Sequence, residues 1–155
     1  MLPVLNLPAF DIKTRVTAGN VQVFDICRGK YVALTPEEWV RQHFLNYLLT
    51  CLDVPKGVMA VEHPIEWNGM SYRADIVVFS RQGKPLLVVE CKAPTVELSQ
   101  ETFVQAARYN FYLKAPLLAI SNGGKHFFAK VDLIQKRSEQ LSALPNYAEM
   151  ILLAQ

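Results

Sequence analysis

The chain has 155 residues, 51% of them hydrophobic and only 19% charged, with a net charge of +2. At about 150 residues per domain this is one domain, able to bury roughly two thirds of its unfolded surface without a disulfide or metal staple. That composition excludes disorder, and the near-neutral balance excludes a histone-like coat while leaving room for a local nucleic-acid patch.

Cys27, Cys51 and Cys91 are odd in number and widely spaced, which argues against a disulfide framework and for a reducing cytoplasm. No apolar run approaches the ~20 residues that span a bilayer. The opening MLPVLNLPAFD lacks the basic stretch of a signal peptide, so no membrane association is expected. Neither a phosphate-cradling GxxxxGK[ST] loop nor a GxGxxG turn is present, so no nucleotide cofactor is expected.

In chain order, residues 21–25 alternate like a short strand. A helix follows in TPEEWVRQHFLNYLLTCL, with Thr35 as N-cap, Pro36 at the first turn and Glu38 completing a capping box. Val40, Phe44, Tyr47, Leu48 and Cys51 form its predicted apolar face, with Glu37 in the middle of that face. Asn68-Gly69 between strand-like runs signals a hairpin, and RQGK at 81–84 signals a second. Three antiparallel strands, 61–67, 71–79 and 86–92, follow from these turns. Ser99 opens a second helix that Pro116 closes. APLLAISN reads as a buried strand and KHFFAKV as an edge strand. The tail, 137–155, reads as helical with a break near Pro145. The fold class is α/β, a central mixed β-sheet flanked by α-helices.

Three charges interrupt the apolar strands. Asp75 stands in RADIVVF, and Glu90 and Lys92 stand in LLVVECKA. Residues two apart on a strand share a face, so Glu90 and Lys92 point together and Cys91 points away. Pairing symmetric about the 81–84 turn gives partner numbers that sum to about 165 and sets Asp75 opposite Glu90. Two converging carboxylates in an apolar setting want a cation, and Mg²⁺ is suited to such oxygens, with the Cys91 carbonyl as a further donor. Lys92 beside it is placed to orient an attacking water or stabilise phosphate charge. The alternative is a buried structural ion pair. Glu37 reads either as a further metal ligand or as a complement to the helix dipole. Gln105 and Tyr109, four apart on the second helix, read as phosphate or base contacts or as a half-buried polar pair. Arg73 shares the side of Asp75 and reads as a phosphate contact or as a partner of Asp75.

Asp75…Glu90-Cys91-Lys92, preceded by a helix bearing Glu37, resembles the PD-(D/E)xK nuclease core. Gln105-Ala-Ala-Arg-Tyr109 is similar to the Q-x-x-x-Y motif of the N-terminal nuclease domain of type I restriction-enzyme R subunits, and RADIVVF, ECKAP and ISNGG resemble small stand-alone members of that family. The resemblance covers about residues 20–130, the core, and departs at Ala74, where the family often has proline. It implies a restriction-endonuclease-like fold and a Mg²⁺-dependent DNA nuclease, with Mn²⁺ as substitute. Asp75, Glu90 and Glu37 would hold the metal and Asp75, Glu90 and Lys92 would be catalytic. Gln105, Tyr109 and Arg73 would touch DNA. No helicase motor accompanies these residues, so ATP-driven translocation is not expected. With basic residues spread along the chain, a homodimer or a partner protein would help hold DNA. The competing expectation is a non-catalytic nucleic-acid-binding or interaction module that keeps the fold.

Overall fold

The computed structural model describes residues 2–155. It begins with a three-stranded antiparallel meander, β1 (Thr14–Thr17), β2 (Asn20–Asp25) and β3 (Lys30–Ala33), and continues into helix α1 (Pro36–Cys51). A six-stranded sheet follows in spatial order β4 (Met59–Trp67), β5 (Met70–Phe79), β6 (Pro85–Cys91), β7 (Leu117–Ser121), β8 (His126–Asp132) and β9 (Arg137–Leu141). Among the described residues only β6 and β7 pair in parallel, because helix α2 (Gln100–Leu113) carries the chain across between them. Helix α3 (Tyr147–Leu153) ends the fold. The sheet is mixed and flanked by helices, as the strand and helix periodicities predict.

Local chemistry explains the elements that position the site. Asn68 (φ 50°) and Gly69 (φ 73°) both take the left-handed conformation that a two-residue hairpin needs, and β4 and β5 pair around them. The second hairpin keeps the expected register: Ile76 faces Val89, Val77 faces Val88 and Val78 faces Leu87, with an irregularity only beside the turn. Helix α2 is capped by Ser99, whose hydroxyl accepts from Thr102 N while the Thr102 hydroxyl accepts from Ser99 N.

Two apolar clusters lie on opposite faces of the sheet. Val40, Phe44 and Leu48 of α1 and Met150 of α3 pack with Ile76, Leu87, Val89 and Cys91 on one face. Ala106 and Tyr109 of α2 pack with Val77, Val88 and Leu118 on the other. Val88 and Cys91 therefore belong to different faces, as strand alternation requires.

Several expectations are corrected. KHFFAKV is not an edge strand, because β9 pairs along β8 from Phe128–Leu141 to Asp132–Arg137. The predicted helical tail thus begins with strand, and only 147–153 is helix. Strands β1 and β3 were not expected. On α1, Thr35 caps Glu38 N, but the Glu38 carboxylate does not return to close a capping box and turns instead to Arg28, Arg41 and Gln42. Cys51 is exposed and Tyr47 only half-buried. The reason is that α1 is covered on several sides, with Arg41, Gln42, His43 and Leu45 buried alongside Phe44. A single apolar stripe does not describe such a helix.

Candidate functional site

The site lies where the central strands β5 and β6 run out of apolar sequence. Asp75 is one position beyond the Ile76–Val89 pair, so the register sets it across from Glu90. Its neighbour on the other side is Glu62 of β4, which lies between the pairs Val61–Ile76 and His63–Ala74. Three acidic residues thus occupy adjacent positions on three strands.

Asp75 is buried, and both of its oxygens are engaged: Oδ2 accepts from Cys91 N at 2.7 Å and Oδ1 from Arg41 Nη2 at 2.9 Å. The Cys91 N–H thus ties Asp75 to β6. Glu90 is buried as well, and its Oε2 has no hydrogen-bond partner. Burial first, and then the negative charge of Asp75, push the Glu90 carboxyl up to about 9. Lys92 Nζ lies 3.9 Å from Glu90 Oε1, too long for a hydrogen bond, and donates instead to Gln105 Oε1 at 3.2 Å. Gln105 Nε2 in turn donates to Tyr109 Oη at 3.2 Å. The expected spacings therefore bring Asp75, Glu90, Lys92, Gln105 and Tyr109 into one connected group.

Glu37 stands at the rim. Its side chain is 47% exposed and lies 3.8 Å from Arg41. Partial burial, followed by the charge of Asp75, raises its carboxyl above the usual range, which places it in electrostatic reach of the group. The expectation of Glu37 in the middle of the buried face is not met, since Glu38 is the buried one. Arg73 does not pair with Asp75. Its side chain is 70% exposed and meets Glu62 at 3.6 Å. Trp67 packs at the rim with Tyr72, Tyr112 and Arg108.

Two site residues escape a reading of the sequence. Arg41 takes the position beside Asp75 and also reaches Glu38 and Glu62. Glu62, with φ at 53°, holds a left-handed conformation inside a strand, a strained state for a side chain of its size. The positional signal for Arg41 was its place four residues after Glu37, on the same helix face.

Among the described residues no three His, Cys, Asp or Glu side chains stand ready to cage an ion. Mg²⁺ does not ask for that, since it takes one or two carboxylates and completes its shell with water and substrate phosphate. The partnerless Glu90 Oε2 beside Asp75 fits such an ion: a cation there would satisfy the orphaned oxygen and relieve the repulsion between the two carboxyls.

Comparison with known proteins agrees with this architecture. The fragment structure of a putative HsdR subunit of a type I restriction enzyme from Vibrio vulnificus YJ016 superposes with a TM-score of 0.57 at 19% identity, over 78% of this chain. That likeness is one of fold, and this chain spans about a quarter (25%) of the solved one. No curated protein matches. The profile of the type I restriction enzyme R protein N terminus (HSDR_N) matches residues 36–145, from the first residue of α1 to the loop before α3. Because that match takes in most of the chain and every residue of the connected group, the protein belongs to the family of type I restriction enzyme R protein N termini.

Proposed function

We propose that this chain is a Mg²⁺-dependent nuclease domain that hydrolyses DNA phosphodiester bonds within a restriction system. The observation that carries the reading is the buried, partnerless Glu90 oxygen next to Asp75. A purely structural ion-pair network would give that oxygen an N–H donor, because an orphaned buried acceptor costs the fold about 1–3 kcal/mol. Here the neighbouring group is instead the Asp75 carboxyl, which Glu90 can bond only by keeping a proton. A metal site leaves it open for its ion.

In this reading Asp75 and Glu90 hold the metal, with Glu37 at the rim as a further or water-mediated ligand. Bound Mg²⁺ would supply Lewis-acid stabilisation of the phosphate and a nucleophilic water at neutral pH. The chain's own residues do the rest. Cys91 N–H and Arg41 fix the Asp75 carboxylate. Gln105 Oε1 holds the Lys92 ammonium, which keeps two further N–H donors for the attacking water or a phosphate oxygen. Tyr109 steadies Gln105, and exposed Arg73 is available to a backbone phosphate. The single-domain organisation, cytoplasmic setting and Mn²⁺ substitution belong to the same proposal. A non-catalytic module would gain nothing from keeping two acids side by side in the core, since burying them is costly without a ligand that uses both.

The test is calorimetric titration of Mg²⁺ and Mn²⁺ into wild type and Asp75→Ala, with plasmid cleavage by both and by Lys92→Ala. Metal binding is expected to vanish in Asp75→Ala and to survive in Lys92→Ala, with cleavage lost in both. Absence of metal binding by the wild type, with DNA present, would leave only a structural ion-pair core.

A further inference from the structure

Arg41 sits inside a ring of carboxylates. Its Nη2 meets Asp75 Oδ1 at 2.9 Å and Glu37 Oε1 at 3.8 Å, while Nη1 meets Glu38 Oε1 at 3.2 Å and Glu62 Oε1 at 3.5 Å. The side chain is 6% exposed, and Nε is buried with no acceptor. A guanidinium kept there with one donor unmet is not optimised for stability, since burying a charge is costly unless every donor is satisfied. Glu62 points the same way: its strained left-handed backbone stands across from Asp75 and presents its carboxylate to Arg41 from the neighbouring strand. Strain retained at such a position marks a constraint other than packing.

We propose that Arg41 is a positioning residue and the resident counter-cation of the carboxylate group, holding Asp75 in place while lowering the free site's affinity for a divalent metal. This rests on the nuclease reading above. The argument is Coulombic. A fixed positive charge 2.9 Å from Asp75 repels a second cation seated on the same carboxylate. Negative charge brought by a substrate phosphate offsets that repulsion, so metal and DNA bind cooperatively, each raising the affinity for the other. The planar fork adds orientation. A lysine ammonium would keep the charge but could not bridge Asp75 and Glu38 along two edges at once.

The experiment titrates Mg²⁺ calorimetrically into wild type, Arg41→Gln and Arg41→Lys, with and without a hydrolysis-resistant DNA duplex, alongside melting curves and cleavage kinetics. Arg41→Gln keeps hydrogen-bond donors for Asp75 but removes the charge. It is expected to bind Mg²⁺ alone on the order of tenfold more tightly than wild type, to lose most of the DNA-induced gain in metal affinity, and to show a lower kcat with KM little changed. Arg41→Lys is expected to keep wild-type Mg²⁺ affinity and still lose kcat. Equal or weaker Mg²⁺ affinity in a folded Arg41→Gln overturns the proposal, because a merely structural arginine would move only the melting curve. Should Arg41→Gln show no cooperative melting, Arg41→Lys decides alone, and wild-type turnover there overturns it. A wild type that binds no Mg²⁺ with or without DNA sinks the nuclease reading itself. Normal wild-type binding with an unresponsive Arg41 variant sinks only this inference.

Discussion

At the scale of single residues, Glu90 makes the site pH-sensitive. Its carboxyl is held up to about 9 by burial and by Asp75, whereas in an unfolded chain it returns to the ordinary carboxylate range. Between those values the folded state binds a proton that the unfolded state has released. Stability from this group is therefore fully present below the unfolded value and is lost as pH rises towards the folded one. Glu37, raised in the same direction, adds to the slope. The metal-free protein is expected to melt at progressively lower temperature from about pH 5 to pH 8, and Glu90→Gln should flatten that trend. Metal binding has the opposite coupling, because an ion on Glu90 must expel the proton. Calorimetry at neutral pH in buffers of different ionisation enthalpy should show release of about one proton per Mg²⁺. A heat independent of the buffer would remove Glu90 from the ligand set.

At the scale of elements, Arg28 ties the meander to both α1 and the six-stranded sheet. Arg28, just beyond β2, donates to Asp25 at 2.8 Å, to Glu38 of α1 at 2.8 Å and to Glu62 of β4 at 3.2 Å. Asp25 is fully buried and also accepts from Cys27 N, Arg28 N and Gln42 Nε2. Removing the arginine would leave the buried Asp25 without its cation, while Glu38 and Glu62 would keep Arg41. Arg28→Ala is expected to cost about 3–5 kcal/mol in urea unfolding, with Arg28→Lys recovering only part of it. A loss within experimental error would mean that the meander is held by its ladder alone. The hairpins were legible in sequence because Asn68-Gly69 and Gly83 punctuate apolar runs. Strands β1 and β9 were not, since all of Thr14–Thr17 and most of Arg137–Leu141 are exposed. Strands kept by pairing with a neighbour leave no hydrophobic period to read.

At the scale of the whole molecule, the family match begins at Pro36, so the meander that supplies Arg28 lies outside it, yet it reaches Glu38 and Glu62 at the edge of the site. Which site residues could be found from sequence depends instead on their immediate surroundings. Asp75, Glu90 and Lys92 declared themselves as charges interrupting apolar strands, and Gln105 and Tyr109 by helical spacing. Arg41 and Glu62 look ordinary in sequence, because the acids and arginines that give them a role come from segments folded together from distant parts of the chain. The site is thus continuous with the core: Asp75 and Glu90 adjoin, on the same strands, Ile76, Val88 and Val89, which are fully buried. A ligand at that position should stabilise the entire fold and not a local loop. If Mg²⁺ binds the folded chain alone, a concentration of 100 Kd adds about 2.7 kcal/mol by mass action. For a chain of this length that corresponds to a rise in Tm of roughly 5–10 °C. The expected result in differential scanning calorimetry is a Tm that climbs with the logarithm of Mg²⁺ concentration in wild type and Lys92→Ala, and stays level in Asp75→Ala. A Tm that rises equally in all three would assign the ion to the general surface.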